Sequence, residues 1–390
     1  MTIDATIRTD AIRFAEVRAW MFDAALPLWS TAGLDREHGG AVEVLDFAGQ
    51  DGAAAFKRTR VQARQVYVFG HAHRLGWGGP GLDSAEHCWR FMTRHGRRDD
   101  GAWVRLMGRE GGVLDATADA YDLAFTLYAL AWRMRTGDDS ALSQAHATLQ
   151  ALDRTLAIAP GLGWRTAEDD PRLWQNPHMH LLEAALELAD AGRDERFAQM
   201  ARDILLLFRD RMFDHGLGVL PEYFEPGWRP ISGPARQIEP GHQYEWTWLL
   251  LRARGLLEFD LTEEAHAMFA FAEASGPDPV IRLTDDGLGG DELSRRHRFR
   301  TWPQTEALKA NLAMFETEGV DTRARVAEIT AHLLDRYLAV TPAGLWQDQF
   351  GAGWRPLAHN VPASTLYHLF LAFAELLRLE PALSQTAAGR

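Results

Sequence analysis

Cysteine, long apolar runs and positive charge are all scarce in this chain of 390 residues. The single cysteine, Cys88, cannot form an internal disulfide, whereas a long secreted protein usually carries several. No apolar stretch approaches the roughly 18 residues needed to span a bilayer, and the N-terminal residues lack the apolar core of a secretory signal. We therefore expect a cytoplasmic protein with no membrane span.

The charge balance argues against another class of partner. Lys and Arg total 41 against 54 Asp and Glu, which gives a formal net charge of −13. A surface of that sign repels the phosphates of nucleic acids and of anionic membranes. We expect neither as a partner, and the composition, 46% hydrophobic and 24% charged, is typical of a folded globular protein.

Familiar metal motifs are missing as well. The chain contains no HEXXH segment and no paired cysteines. His178 and His180 lie two residues apart, as do His71 and His73, and on a helix such side chains diverge. We therefore expect no essential metal and no cofactor.

Helical periodicity is what the sequence does contain. Strand-like alternation is confined to short pieces such as Gly101 to Leu106 and Gly218 to Tyr223. Apolar residues recur at helical spacing in twelve segments, which predicts an all-α protein with helices near 11–30, 61–76, 83–97, 115–137, 139–157, 176–191, 194–213, 241–258, 262–275, 302–317, 321–340 and 363–380.

The even-numbered helices carry polar or aromatic residues near their starts, at a regular interval. Six markers are separated by steps of 57, 57, 64, 64 and 62 residues: Arg64, Tyr121, His178, His242, Glu306 and His368. One helical hairpin per step, closed into a ring, predicts a single (α/α)6 barrel over residues 1–390. If the even helices form the inner ring, their marked ends meet at one mouth, where convergent polar groups indicate a binding site.

Two segments carry the strongest chemical signals. In PGHQYEWTWLLLRA, residues 240–253, His242 and Glu245 lie three apart and share a helix face, so the carboxylate is expected to orient the imidazole and raise its basicity. In RTWPQTEALKA, residues 300–310, Glu306 is a second candidate carboxylate, Trp302 a flat wall for a sugar ring, and Gln304 a polar contact.

Three further segments complete the predicted site. In NPHMHLLEA, residues 176–184, Asn176 and His178 stand nearest the helix start, whereas His180 is expected to be packed or exposed. In VPASTLYHLFLAF, residues 361–373, ring closure would bring His368 towards Arg64. The planar guanidinium of Arg64 could bind hydroxyl or carbonyl oxygens.

The segments around Arg64, His178, His242, Glu306 and His368 resemble, in order and spacing, the N-acylglucosamine 2-epimerase superfamily, and within it the mannose isomerases. The resemblance spans residues 12 to 380, and it implies an (α/α)6 barrel that acts on a sugar. It also implies roles: Arg64 and His178 contact the substrate, His242 and His368 are the catalytic histidines, and Glu245 and Glu306 support them. We add Asn176, Tyr121, Asp119, Trp302 and Gln304 as candidate substrate-binding residues.

The resulting hypothesis is an isomerase that interconverts D-mannose and D-fructose through an enediolate. His368 would move the proton between carbons, His242 with Glu245 would open the ring, and Arg64 would stabilise the oxyanion. A 2-epimerase acting on N-acylglucosamine or on mannose and glucose stays open as an alternative. So do a glycoside hydrolase, which would use a pair of carboxylates, and a non-catalytic helical interaction protein. The expected partner is a monosaccharide, bound by a monomer or a homodimer.

Overall fold

The computed structural model describes residues 9–170, 172–278, 282–290 and 292–385. The first helix, α1, runs over Phe14–Ala19 and continues through a π-helical stretch, Trp20–Ala25, into Leu26–Trp29. The other barrel helices are α2 (Thr59–Arg74), α3 (Gly81–His95), α4 (Ala120–Arg135), α5 (Ala141–Leu156), α6 (Gln175–Gly192), α7 (Glu195–Leu207, extended by Phe208–Met212), α8 (Pro240–Leu257), α9 (Thr262–Ser275), α10 (Thr301–Glu318), α11 (Arg323–His332, extended by Leu333–Tyr337) and α12 (Leu366–Arg378, preceded by a 3-10 turn, Ala363–Thr365). A short α13 (Glu380–Leu383) follows.

The even-numbered helices form a closed inner ring. Each packs against the next, from α2 to α12, and α12 packs against α2. Helices α3, α5, α7, α9 and α11 each pack outside the even helix that precedes them, and α1 packs against α12. The predicted (α/α)6 barrel is confirmed. That the whole of residues 1–390 is a single domain stays a prediction, and its ends, 1–8 and 386–390, lie outside the described residues.

Burial explains which helices lie inside. From Gln175 to Leu188 nearly every residue of α6 is buried, which requires neighbours on all sides. The outer helix α3 buries a stripe at helical spacing that includes Ala85, Cys88 and Met92, and exposes the rest. Among the described helices, none is long and apolar enough to cross a bilayer.

Short strands occupy the long loops at one mouth of the barrel, and all their pairings are antiparallel. They are β1 (Val44–Leu45), β2 (Phe56–Arg58), β3 (Leu106–Gly108), β4 (Val113–Asp115), β5 (Leu173–Trp174), β6 (Tyr223–Glu225), β7 (Arg229–Pro230), β8 (Gln237–Ile238), β9 (Leu288–Gly289), β10 (Ser294–Arg295), β11 (Arg298–Arg300), β12 (Gln349–Gly351), β13 (Arg355–Pro356) and β14 (Val361–Pro362). They pair as β1-β14, β2-β3-β4, β5-β6-β7, β8-β9-β10 and β11-β12-β13.

The strands fix where the inner helices begin. β2, β5, β11 and β14 end directly before α2, α6, α10 and the turn that opens α12, and β8 ends one residue before α8. The two strand-like pieces predicted from the sequence only touch β3 and β6 at their last residue. Strands of two or three residues are too short to show alternation, so periodicity could not predict the remainder.

Candidate active site

A cavity of about 990 Å³ opens at the mouth where the inner helices begin. Eight of the eleven predicted site residues line it: Arg64, Asp119, Tyr121, Asn176, His242, Glu245, Trp302 and His368. Of the other three, Glu306 lies directly behind His368, whereas His178 and Gln304 are buried elsewhere. The ring therefore gathers side chains that are up to three hundred residues apart in sequence.

His242 is held between carboxylates on the cavity wall. Its Nδ1 lies 2.8 Å from Oε2 of Glu222 and 3.5 Å from Oε2 of Glu239. Burial by itself lowers the pKa of an imidazole, but the negative charge of Glu222, its hydrogen bond and the charge of Glu239 outweigh this and raise the pKa of His242 to about 9. His242 is therefore a cation at neutral pH.

The charge of Glu245 contributes to the raised pKa of His242, as expected, but Glu245 does not orient the imidazole, whose Nδ1 binds Glu222. No hydrogen bond joins Glu245 to His242; the Glu245 carboxylate lies 3.8 Å from Nδ1 of His180 and 4.0 Å from Nζ of Lys309. Burial, reinforced by the charge of Glu306, raises the pKa of Glu245 well above its usual value. Glu222 reaches His242 from a loop twenty residues earlier, a contact that helical spacing cannot reveal.

His368 also lies beside Trp302 but has a different environment. Its Nδ1 lies 2.8 Å from Oε1 of Glu306, whose Oε2 lies 2.6 Å from Nζ of Lys309. Burial, followed by the positive charges of Arg64 and Lys309, holds the pKa of His368 well below 6.5. His368 is therefore neutral at neutral pH, and its Nδ1–H donates to Glu306.

The two imidazoles converge on the same cavity around one indole. The Trp302 ring centroid lies 4.8 Å from that of His242 and 5.9 Å from that of His368. Because each histidine uses Nδ1 for a carboxylate, each has Nε2 left for the cavity, where the Asn176 amide lies 3.1 Å from Nε2 of His242. One cationic and one neutral imidazole make a ready acid and base.

Arg64 closes the wall between the first and last inner helices. Its guanidinium donates to the Tyr121 hydroxyl at 2.6 Å and to the carbonyl of Ser364 at 3.1 Å, and it lies over the Phe125 ring. The bond to Ser364 links α2 to the turn that opens α12, so the predicted approach of Arg64 to the His368 segment is confirmed.

Asp119 stabilises the same part of the cavity wall by a hydrogen bond to the backbone. It caps α4 by accepting the Tyr121 backbone N–H at 2.9 Å, and it lies 3.3 Å from Nε of Arg105. Both Asp119 and Arg105 line the cavity. Asp119 therefore fixes the start of α4 and, with it, the position of the Tyr121 hydroxyl beside Arg64.

His178 and Gln304 were expected to contact substrate, and the structure places neither in the cavity. Gln304 brackets the backbone of Thr284: its Oε1 accepts the N–H at 2.9 Å and its Nε2 donates to the carbonyl at 2.8 Å. Gln62 brackets Ala41 in the same way, as Gln243 does Leu220. These glutamines tie each preceding loop to its inner helix.

The position of His178 in the repeat explains its role. It stands fourth in α6, as Gln62, Gln243 and Gln304 stand fourth in α2, α8 and α10. Its Nε2 accepts the Trp164 backbone N–H at 3.1 Å, and burial lowers the pKa of His178 to about 4, which leaves it neutral. Comparing repeat positions would have predicted this structural role.

His180, expected to be packed or exposed, lines the cavity instead. Its Nδ1 lies 3.1 Å from Oε2 of Glu183, which also accepts the Tyr367 hydroxyl at 2.5 Å. Burial lowers the pKa of His180 to about 4, so it faces the cavity uncharged. The divergence of His178 and His180 along the helix was foreseen, but the wrong member of the pair was placed inside.

Among the described residues, three groups have the spacing of a cation site: Glu245 with Glu306 and His368, Glu222 with Glu239 and His242, and His180 with Glu183 and Glu245. In the first group the ammonium of Lys309 lies 2.6 Å from Glu306. In the second, the imidazolium of His242 supplies the positive charge. We assign these carboxylates to protein cations; that no metal or cofactor is required stays a prediction.

Comparison with known proteins adds independent findings. The family model that matches, over residues 39–372, is that of N-acylglucosamine 2-epimerase. The chain is 36% identical to mannose-6-phosphate isomerase of Rhizobium meliloti (strain 1021), over 94% of this chain and 97% of that protein. It is 25% identical to a cellobiose 2-epimerase of Ruminococcus albus, over 78% and 82% of the two chains. A sugar epimerase from a ruminal bacterium has a similar fold, with a TM-score of 0.84 at 21% identity over 94% of this chain and 99% of that one.

Proposed function

This chain belongs to the N-acylglucosamine 2-epimerase family, and from that membership we propose that it interconverts D-mannose and D-fructose by proton transfer at histidine. It is an isomerase or 2-epimerase that acts on a sugar. The observation that carries the proposal is the pairing of a cationic His242 with a neutral His368 in one cavity.

The charge states assign a role to each imidazole. His242, as the acid, gives its proton to the ring oxygen and receives the proton of the anomeric hydroxyl, which opens the ring and leaves His242 a cation again. Neutral His368 then takes the proton from C2; the C–H electrons form the C1–C2 double bond, and the carbonyl oxygen becomes the enediolate oxygen. The Arg64 guanidinium donates to that oxygen. His368 returns the proton to C1 while His242 gives a proton to O1 and receives the proton of the O2 hydroxyl, so that O2 becomes the ketone oxygen and O1 a hydroxyl.

The arginines around the cavity favour a neutral sugar over a sugar phosphate. Five of them lie within 3.0 Å of a carboxylate: Arg58 with Glu43, Arg60 with Asp122, Arg105 with Asp169, Arg172 with Asp170 and Arg300 with Asp286. A phosphate dianion would have to displace those carboxylates or lie beside them. The sixth arginine, Arg64, contacts no carboxylate, and its hydrogen bonds go to a hydroxyl and a carbonyl of the cavity wall.

A 2-epimerase is the second candidate function, and the presence of two imidazoles in one cavity supports it. Epimerisation at C2 needs a proton donor on the face opposite the base. His242 and His368 both line the cavity beside Trp302, so the cationic His242 could deliver that proton to C2. The same residues would then give glucose from mannose.

Product analysis separates these outcomes. Purified enzyme is incubated in turn with D-mannose, D-glucose and mannose 6-phosphate, and the products are identified by NMR. We expect fructose from mannose and a far slower reaction of the phosphate. Glucose as the sole product of mannose would establish the epimerase instead, and no product from any of the three would refute both.

Substitution tests the roles of the two histidines. His242→Asn and His368→Asn should each lower kcat by about 10²- to 10⁴-fold, because each removes one partner of proton transfer. The matched control is His266→Asn, an exposed histidine on the outer helix α9, which should keep the wild-type rate. Wild-type activity in either site variant would contradict the assignment.

A further inference from the structure

Lys309 is a fully buried lysine on α10 that has no part in the steps described above. Its ammonium lies 2.6 Å from Oε2 of Glu306, 4.0 Å from Oε1 of Glu245 and 4.2 Å from the centroid of the Trp248 ring. Burial opposes the charge of Lys309, but the surrounding carboxylates, Glu306 foremost, raise its pKa. The protein thus keeps an ammonium directly behind its candidate base.

The two histidine sites differ in what else binds the carboxylate. Behind His242, Glu222 receives neutral donors: the Gln175 side-chain amide at 2.9 Å and the Glu239 backbone N–H at 3.2 Å. Behind His368, Glu306 receives a cation. Histidine and carboxylate are otherwise arranged alike, with Nδ1 at 2.8 Å from the carboxylate in both cases.

We propose that Lys309 is a positioning residue that neutralises Glu306 and thereby keeps His368 uncharged, with Nε2 free to accept the substrate proton. The inference rests on the proposed function, in which His368 is the base. A carboxylate whose charge is balanced from behind orients the Nδ1–H of its histidine without stabilising the imidazolium. Without the ammonium, the whole negative charge of Glu306 would favour a second proton on His368.

Other charged and titratable groups face His368 from every inner element around it, and none of them replaces Lys309. They are Arg64 from α2, His180 and Glu183 from α6, Glu245 from α8, Tyr367 on α12 itself, and Asp348 at the cavity wall. Among these, Arg64 is the other cation, and it hydrogen-bonds Tyr121 and Ser364 rather than Glu306. In the described structure Lys309 is the cation that contacts the carboxylate.

The decisive variant is Lys309→Gln, which can keep a hydrogen bond to Glu306 but removes the charge. The pH profile of kcat/KM should then show its rising limb moved upward by about one pH unit or more, because His368 must lose a proton before it can act. An NMR titration of the His368 ring, carried out without sugar, should show the same upward move. Lys309→Arg, which keeps the positive charge, should return the rising limb of the kcat/KM profile to its wild-type position.

The matched control is Lys57→Gln. Lys57 is the other fully buried lysine, and its ammonium lies 2.9 Å from Asp35 and 4.4 Å from the Phe91 ring, outside the cavity. This variant should lose stability and keep the wild-type pH profile. An unmoved limb and an unmoved His368 titration in Lys309→Gln would overturn the proposal.

Two further readouts keep the test decisive. If Lys309→Gln does not fold, NMR of the wild-type lysine side chains must show Lys309 as an ammonium throughout about pH 6 to 9. Loss of its charge in that range overturns the proposal. The titration of the His368 ring needs no substrate, so it tests the role of Lys309 even if the enzyme does not convert mannose. Failure to convert mannose would count against the proposed function alone.

Discussion

His242 and His368 show how one residue type acquires two chemical roles from its neighbours. Both are buried on the cavity wall and both bind a carboxylate through Nδ1, yet the pKa of one is raised to about 9 and that of the other lies well below 6.5. A base must be unprotonated and an acid protonated. Activity should therefore rise at a pH well below 6.5 and fall above about 9, with a broad plateau between.

The falling limb tests the role of Glu222. In Glu222→Gln, His242 loses its largest favourable charge while burial remains, so the pKa of His242 should fall by about one to three units. Because the acid works only when protonated, the falling limb of the kcat/KM profile should move down by the same amount.

Glu225→Gln is the control for that variant, since Glu225 is exposed on β6 and pairs with Arg229. Its profile should match the wild type. An unchanged falling limb in Glu222→Gln would show that another group is the acid. If Glu245→Gln moved the falling limb further than Glu222→Gln does, Glu245, the residue that sequence spacing favoured, would be the main partner of His242.

At the scale of elements, the starts of α8 and α10 meet closely enough to position Trp302. A Cβ added at Gly241 would lie 2.5 and 2.6 Å from two atoms of the Trp302 ring. Gly241→Ala should therefore displace the indole that lies beside both histidines, at a cost of about 1–3 kcal/mol in stability. Displacing this wall by about 1 Å should lower kcat/KM by about 10²-fold.

The same helix provides the matched control. Gly255 also lies within α8, and a Cβ added there meets no described atom within 4 Å. Gly255→Ala should stabilise the protein by about 0.5–1 kcal/mol, because it removes backbone freedom from the unfolded chain, and should leave kcat/KM unchanged. Equal kinetics in both alanine variants would refute the positioning role of Gly241.

The elements also show what the sequence could predict. All twelve barrel helices were located, because the inner helices, of thirteen to eighteen residues, carry long apolar patterns. The ring and its functional mouth followed from the spacing of their starts. Spacing within a helix was an uncertain guide: Lys309, three residues after Glu306, was not singled out although the two form an ion pair, whereas His242 and Glu245, which were paired on that ground, form no hydrogen bond. Partners across loops, such as Glu222 for His242, depend on how strands pair, and the pairing of strands of two or three residues cannot be predicted from the sequence.

At the scale of the molecule, the ring is closed by contacts between the two ends of the chain. Trp29 at the end of α1 stacks on Trp346 at 5.2 Å between ring centroids, and its indole N–H donates to the Gly344 carbonyl at 3.1 Å. β1 pairs with β14 nearby. A closed ring should therefore unfold cooperatively, unlike an open array of hairpins.

Trp29→Ala tests this closure. Trp29 is almost completely buried, so the free energy of unfolding should fall by about 3–5 kcal/mol in urea denaturation, with a single transition retained. Leu114→Ala, at a residue 60% exposed, should change it by about 0.5 kcal/mol or less. A separate early transition in Trp29→Ala would show that the hairpins unfold independently.

The central claim, that a histidine carries a proton between adjacent carbons of the sugar, is tested most directly in deuterated water. D-mannose is incubated with the enzyme in D₂O, and the product is analysed by NMR for deuterium at each carbon. We predict fructose with deuterium at C1 in the turnovers in which the proton held by His368 exchanges with solvent before it is returned, and loss of that label together with the reaction in His368→Asn. Fructose that carries no solvent deuterium and still forms at the wild-type rate in His368→Asn would contradict this account.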